Sequence, residues 1–368
     1  MAKVRIKRAK IHFCDEEINA ALEVIKSGRY VKGPNVSAFE EEFAKFVGTK
    51  HAVAVNSGTS ALIAALLAAG VKRGDEVITT PFTFMATGNA ILIAGGKPVL
   101  VDIDEDSMNI DPGAVKKAVT PKTKAIMPVH LYGQSADMDP ILEVATEKDL
   151  IIVEDAAQAV GAKYKGDSCG TFGDINCFSF YPTKNMTVCG DGGMITTDNP
   201  ELYEKSIMYR DAGRKKGDIE RSYVPGYNFR LSELHAAIGR AQLKHVKKWN
   251  EERRQIATWY DKYLSGTKEL ILPEEMEYAY HIYHLYSPRA QRRDQLLKFL
   301  EQNGVEAGTH YPIPLHVQET FKHLGYGRGD FPKSEKAADM QISLPVYPGL
   351  KEKDIQYVAE QIKKFYKK

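Results

Sequence analysis

The stretch HAVAVNSGTSALIAALLAAG, residues 51–70, joins two unlike patterns across a short polar turn. HAVAVNS is short, apolar and valine-bearing, which reads as a strand. GTSALIAALLAAG is rich in alanine and leucine and stops at Gly70, which reads as a helix. The next segments repeat the alternation. DEVITTP (75–81) and TFMATGNAILIAG (83–95) read as strand and helix. KPVLVDID (97–104) is a strand, and DPGAVKKAV (111–119) is a helix opening at Asp111 with Pro112 in its first turn. TKAIMPVH (123–130), DMDPILEVATEKD (137–149) and LIIVEDAA (150–157) continue as strand, helix and strand. The expected fold is α/β, with a mainly parallel sheet sandwiched by helices. Ligands of such sheets bind beyond the carboxyl ends of the strands. The polar residues at those ends are Asn56, Ser57, Asp102, His130 and Asp155.

Upstream, residues 15–27 (DEEINAALEVIKS) and 36–47 (VSAFEEEFAKFV) have helical periodicity, the second with Ser37 as a cap. Beyond about residue 235 a long helical stretch covers 233–265, and shorter proline-bearing segments follow. The expected division is a large domain, 1–245, and a smaller C-terminal α/β domain, 246–368, with the long helix as the bridge.

The chain has 368 residues, 43% hydrophobic and 27% charged, as in soluble globular proteins. A net charge of +2 gives no electrostatic basis for binding nucleic acid or an acidic membrane surface. Cys14, Cys169, Cys177 and Cys189 lack C-x-x-C spacing and read as free thiols. No metal is expected. No run approaches the roughly 18 apolar residues of a membrane span, and MAKVRIKRAKIHF lacks the apolar core of a signal peptide. These features together imply a cytoplasmic location.

Three segments carry chemistry. NSGTSA (56–61) is either an anion cradle built on the amides of Gly58, Thr59 and Ser60, or a plain helix cap. Asp155 is either a cleft carboxylate or a cap. Lys184, in FSFYPTKNMTVCGDGG (178–193), is either a desolvated amine primed to attack a carbonyl or a loop lysine reaching out to water. Phe178 and Phe180 alternate with Ser179, so a strand would pack the rings on one face and turn Ser179 to the other. A phosphate cradle, a carboxylate and an isolated lysine on strand ends of one sheet are the parts that hold pyridoxal 5′-phosphate. The phosphate needs N–H donors, the pyridinium nitrogen an anion and the aldehyde an amine.

With these residues in view, the chain resembles the DegT/StrS-type sugar aminotransferases, fold-type I enzymes dependent on pyridoxal phosphate. The resemblance runs nearly the full length, through GPNVSAFEEEFAKFVG, AVNSGTSAL, DEVITTPFTFMAT, PVLVDID, KAIMPVHLYG, VEDAAQAVGA, FSFYPTKN, GDGGMITTD, GYNFRLSELHAAIG and SLPVYPGL. It implies an aspartate-aminotransferase-like large domain. It makes Lys184 the Schiff-base lysine and Asp155 the partner of the pyridinium nitrogen. Gln158 then covers one ring face, Phe84 lies on the other side, and Gly58, Thr59 and Ser179 hold the phosphate. Asn228 in GYNFR reaches the phosphate of a neighbouring subunit, which makes a homodimer the active unit. Arg230 becomes a candidate for a substrate or amino-donor carboxylate. His310, Tyr311, His316 and Tyr347 are candidate walls of a sugar cleft, or core and surface residues.

The implied reaction moves an amino group from L-glutamate to a nucleotide-linked ketosugar. One rival is a sugar dehydratase on the same cofactor, in which histidine replaces the lysine. Others are a non-catalytic regulatory or binding protein and, on the residues without the resemblance, a pyridoxal phosphate enzyme for small amino acids. The chain departs from the commoner family form at Cys189-Gly190-Asp191-Gly192-Gly193. That form is one residue shorter and has Glu before the paired glycines. The insertion is expected to alter the turn beside the cofactor and leave Lys184 in place, with Cys189 a small packed residue.

Overall fold

Side chains alternate across each strand of the central sheet, and the burial shows both faces covered. The computed structural model describes residues 5–367. Its seven-stranded sheet consists of β1 (His51–Val55), β2 (Glu76–Thr79), β3 (Lys97–Leu100), β4 (Thr123–Ile126), β5 (Ile151–Asp155), β6 (Ile175–Ser179) and β7 (Gly193–Thr197). The order is β3-β2-β4-β5-β6-β7-β1. Neighbours are parallel except that β7 runs antiparallel to both β6 and β1. The α/β class and mainly parallel sheet read from the sequence are what the chain forms.

Among the described residues, twelve α-helices surround this sheet and its C-terminal extension: α1 (Asp15–Ser27), α2 (Pro34–Val47), α3 (Gly58–Ala68), α4 (Met85–Ile93), α5 (Pro112–Ala118), α6 (Met138–Lys148), α7 (Pro200–Arg210), α8 (Glu233–Leu243), α9 (Val246–Leu264), α10 (Arg293–Gln302), α11 (Pro332–Met340) and α12 (Glu352–Tyr366). Val53, Val77, Ala125, Val153, Cys177 and Ile195 pack on one sheet face against α3, α4 and α7. On the opposite face, Ala54, Phe178 and Met194 meet α2 and α8, while Ile78, Ile126 and Ile152 meet α5 and α6. Helix α3 is apolar on every side because it is buried on every side, from Ser60 through Leu66.

Two expectations need correction. Ser37 does not cap α2, which begins at Pro34. Its opening amides are taken by Glu233 of α8, 1% exposed, whose carboxylate accepts from Gly33, Asn35 and Val36 at 2.8–3.0 Å. The stretch 233–265 is two helices with a break at Lys244-His245. No glycine or proline marks the break; there Gln242 is held by Glu17 and the His12 carbonyl.

Helix α9 belongs to two cores. Val246 packs with the sheet, while Ile256, Ala257, Tyr260 and Leu264 pack with α10 and α12. Ile6 joins that second core and bridges Val305. The first described residues thus lie with the C-terminal part rather than with their sequence neighbours. Regular strands there are short: Leu270–Ile271 pairs with Arg289–Ala290. No helix among the described residues is long and apolar enough to cross a membrane.

Candidate active site

Between β1 and α3, Ser57 caps the helix by accepting from the Ser60 amide at 3.0 Å, and Ser60 Oγ donates to Asn56 Oδ1 at 2.7 Å. The Gly58 and Thr59 amides are left at the open helix end, without intrahelical partners. Ser179 closes β6 directly opposite. A Cβ on Gly58 would stand 2.7 Å from the Ser179 Cβ, and one on Gly193 2.5 Å from the Ser57 carbonyl oxygen. Glycine is required at both positions for the strand ends and helix to approach so closely. An anion here meets two amides, a hydroxyl and the positive end of a helix dipole. Gly58→Ala is expected to push Ser179 away at a cost of about 1–3 kcal/mol. Pyridoxal phosphate affinity should fall about tenfold or more, read by equilibrium dialysis beside a thermal melt.

Asp155 ends β5 and is 4% exposed. Thr87 Oγ1 donates to its Oδ2 at 2.8 Å, and the Ala157 amide donates to its Oδ1 at 3.2 Å. Thr87 also shares a hydrogen bond with Thr83 at 3.0 Å. Burial raises the Asp155 carboxyl above its ordinary value, opposed by these two donors and by the charge of Lys184. Among the described residues no cation hydrogen-bonds to it.

Lys184 follows β6 through a turn closed by its own amide on the Tyr181 carbonyl at 2.8 Å. Its Nζ has no hydrogen bond or ion pair among the described residues. Burial pulls the ammonium down to about 8, with Asp155 pulling the other way. The next residue locks the lysine in place. Asn185 Nδ2 donates to Asn250 Oδ1 at 2.7 Å, and Asn250 Nδ2 donates to the Val160 carbonyl at 3.0 Å. A carbonyl only accepts, so the direction of this chain is fixed. Asn185 Oδ1 is therefore the acceptor for His284 Nδ1, 3.1 Å away, and His284 carries its proton on Nδ1. Burial and the Lys184 charge hold the imidazole well below its usual range, so it is neutral.

These groups line one cleft of about 540 Å³, together with Phe84, Gln158, His310 and Tyr311. The Phe84 ring lies 5.7 Å from that of Tyr311. Gln158 accepts from the Tyr132 amide at 2.9 Å and donates to the Tyr311 hydroxyl at 3.2 Å. Pyridoxal phosphate fits this set. The open amides at Gly58 and Thr59 suit a phosphate, the buried Asp155, hydrogen-bonded to no cation among the described residues, suits a ring N–H⁺, and the low-pKa Lys184 suits an aldehyde.

The family model of the DegT/DnrJ/EryC1/StrS aminotransferase family matches residues 13–363. The chain belongs to this aminotransferase family. It is 47% identical to the pleiotropic regulatory protein of Geobacillus stearothermophilus, over 94% of this chain and 93% of that one. It is 41% identical to the dTDP-3-amino-3,4,6-trideoxy-alpha-D-glucose transaminase of Streptomyces venezuelae, over 95% and 92%. The crystal structure of S. venezuelae DesV in complex with a ketimine intermediate superposes with a TM-score of 0.93 at 39% identity, covering 96% and 95%.

In this DegT/DnrJ/EryC1/StrS chain, Gly58, Thr59, Phe84, Asp155, Gln158, Ser179, Lys184, His310 and Tyr311 come together in one cleft. Other candidates lie elsewhere. His316 is a buried histidine, hydrogen-bonded to Glu335 at 3.0 Å and packed on Phe331, so it is not a cleft wall. Tyr347 belongs to the C-terminal core. Arg230 is tied to Asp211 beside Lys32 and Arg214, outside the cleft. Asn228 is exposed; its carbonyl accepts from Asn56 Nδ2 at 3.4 Å, which sets the GYNFR segment beside the end of β1. His130 is buried against Glu154, and Asp102 caps α11 through the Lys333 and Ser334 amides. Cys189 is exposed rather than packed and adopts a φ of 63°. The turn from Cys189 to Asp191 stands at the surface, and Asp191 lines the cleft. Sequence reasoning passed over Thr87, Asn185, His284, Asp191 and Arg8. Only Thr83 and Thr87, four apart in TFMAT, gave a spacing signal.

Proposed function

We propose that the chain is a pyridoxal-phosphate-dependent aminotransferase that moves an amino group from L-glutamate to a nucleotide-linked ketosugar. The observation that carries this is the low-pKa amine of Lys184 in the same cleft as the buried Asp155 carboxylate. The transaminase name of the S. venezuelae relative supports a nucleotide-sugar substrate. In this reading residues 1–245 form the cofactor-binding domain and 246–368 the small domain. The protein works in the cytoplasm as a homodimer, in which Asn228 serves the neighbouring site.

The cofactor supplies an aldehyde that takes up an amine and a ring that draws electrons from the adjacent carbon. The protein residues do the rest. The Gly58 and Thr59 amides and the Ser179 hydroxyl would bind the phosphate. Asp155 would hold a proton on the ring nitrogen by its charge. Gln158 and Phe84 would hold the ring plane. Lys184 Nζ, the low-pKa amine of the cleft, would take a proton from the donor's α-carbon and return it on the other side of the transfer.

Absorbance titration tests this reading. The holoprotein should absorb in the near-ultraviolet and visible, and L-glutamate should bleach that band toward the pyridoxamine form. A chromophore indifferent to L-glutamate would refute the donor assignment, and no chromophore at all would refute the enzyme. The pleiotropic regulatory name of the Geobacillus relative favours a second reading, a regulator without turnover; a bleaching holoprotein decides against it.

The amine also sets a pH dependence. Only neutral Lys184 attacks an aldehyde, and its folded value is about 8 against 10.5 for an ordinary lysine. The rate of pyridoxal phosphate capture by apoprotein should therefore rise with pH and level off above about 8, not above 10.5, in stopped-flow absorbance.

A further inference from the structure

One cation on the cleft lining has no role in holding the cofactor. Arg8 lines the same cleft as Lys184 and Asp155. The segment that carries it is fixed to the C-terminal core. The Arg5 and Ile6 amides donate to the Gly304 carbonyl at 2.8 and 3.0 Å, and the Glu306 amide donates to the Ile6 carbonyl at 2.9 Å. Ile6 itself is 2% exposed. The Arg8 side chain then lies across Gly308, where a Cβ would stand 2.5 Å from Nη1. The guanidinium is thereby placed by its surroundings rather than left to wander.

What it lacks is a partner. Arg210, Arg214, Arg230, Arg240, Arg254 and Arg293 each pair with a carboxylate. The Arg8 guanidinium has no hydrogen bond or ion pair among the described residues. The other basic groups of the cleft do not supply a lasting positive charge. Lys184 is committed to the aldehyde. His284 is neutral, and His310 is held down to about 4 by burial, with Arg8 and Lys184 adding to the effect. Arg230, the arginine the sequence suggests for a carboxylate, is already engaged by Asp211.

We infer that Arg8 is the anchor for an oxyanion of the substrate in this cleft, the carboxylate of the amino donor or the diphosphate of the nucleotide sugar. The inference rests on the aminotransferase reading and adds Arg8, a group of this chain's own cleft, to the anion-binding candidates. A guanidinium offers a planar fork that matches either group with two parallel N–H donors.

The test uses holoprotein carrying Arg8→Ala or Arg8→Lys, with thermal melts confirming that each variant folds. The first arm measures the L-glutamate concentration that half-saturates bleaching, and the second the calorimetric dissociation constants of UDP and dTDP. Arg8→Ala should weaken one arm by about ten- to a hundredfold, the range for a hydrogen bond to a charged group. Arg8→Lys should recover part of the loss, because charge returns without the fork. A loss confined to L-glutamate identifies the donor carboxylate; a loss confined to the nucleotides identifies the diphosphate. Changes of no more than about twofold in both arms, typical of an uninvolved surface residue, would overturn the inference. If wild-type protein ignores L-glutamate, the aminotransferase reading fails, and the nucleotide arm still decides for or against Arg8.

Discussion

Lys184→Ala protein is expected to fold, to bind pyridoxal phosphate without a covalent bond, and to show no measurable transamination. The loss has two sources. Proton transfer by a positioned side chain contributes about 10²–10⁴-fold to a rate, and Lys184 Nζ is the amine in the cleft able to perform it. The covalent attachment to the aldehyde goes with the same atom. Folding should not suffer. The ammonium is disfavoured in the native state, where its value falls to about 8. A base with a lowered folded pKa binds fewer protons folded than unfolded between the two values. Wild-type apoprotein should therefore gain stability as pH rises from about 8 to 10.5, and Lys184→Ala should abolish that gain. Borohydride reduction followed by mass spectrometry reads the covalent bond, and melts of apoprotein across pH read the stability. Retained covalent attachment in the variant would show that another lysine serves the site.

Much of this was legible in the sequence because it depends on local pattern. The strand-to-helix alternation from His51 to Asp155 needs only side-chain periodicity and the preferences of valine, alanine and glycine. Ser179 between Phe178 and Phe180 faces as strand geometry dictates: the rings pack 5.0 and 5.3 Å from Phe43, while Ser179 meets Gly58. Features that depend on distant segments were not legible. The cap of α2 comes from Glu233, about two hundred residues away. His316 and His310 lie six apart in the chain, yet one is sealed against Phe331 and the other lines the cleft. Arg8 reads as one basic residue in a basic amino-terminal segment until the pairing of Ile6 with Val305 carries it to the cleft. The relay through Asn185, Asn250 and His284 joins three segments with no shared motif.

Asp155→Asn separates what the site costs the fold from what it gives the reaction. The carboxyl is raised above its ordinary 3.8, chiefly by burial. An acid raised on folding is a destabilising group. As pH climbs past 3.8 the unfolded carboxyl ionises first, and native stability falls until the folded group has ionised too. Asparagine removes that penalty and keeps the shape. Its Oδ1 still accepts from the Ala157 amide, its Nδ2 donates to Thr87 Oγ1, and the Thr87 hydroxyl turns to donate to Thr83. Apo Asp155→Asn should melt no lower than wild type at neutral pH and lose the fall in stability above pH 3.8. Its catalysis should drop sharply, because a neutral amide cannot hold a proton on the ring nitrogen. Loss of one preorganised electrostatic group costs about 10²–10³-fold in kcat. The half-saturating concentration of L-glutamate should change far less, since in this reading Asp155 meets the ring nitrogen and not the donor's carboxylate. A variant with near-normal kcat would mean that the ring nitrogen does not sit against Asp155. One that melts lower than wild type would mean that the threonine pair cannot reverse its hydrogen bonds. The first measurement tests the chemical role and the second the structural one, and a stabilised but inactive protein would show that the strain of a buried carboxylate is kept for the reaction.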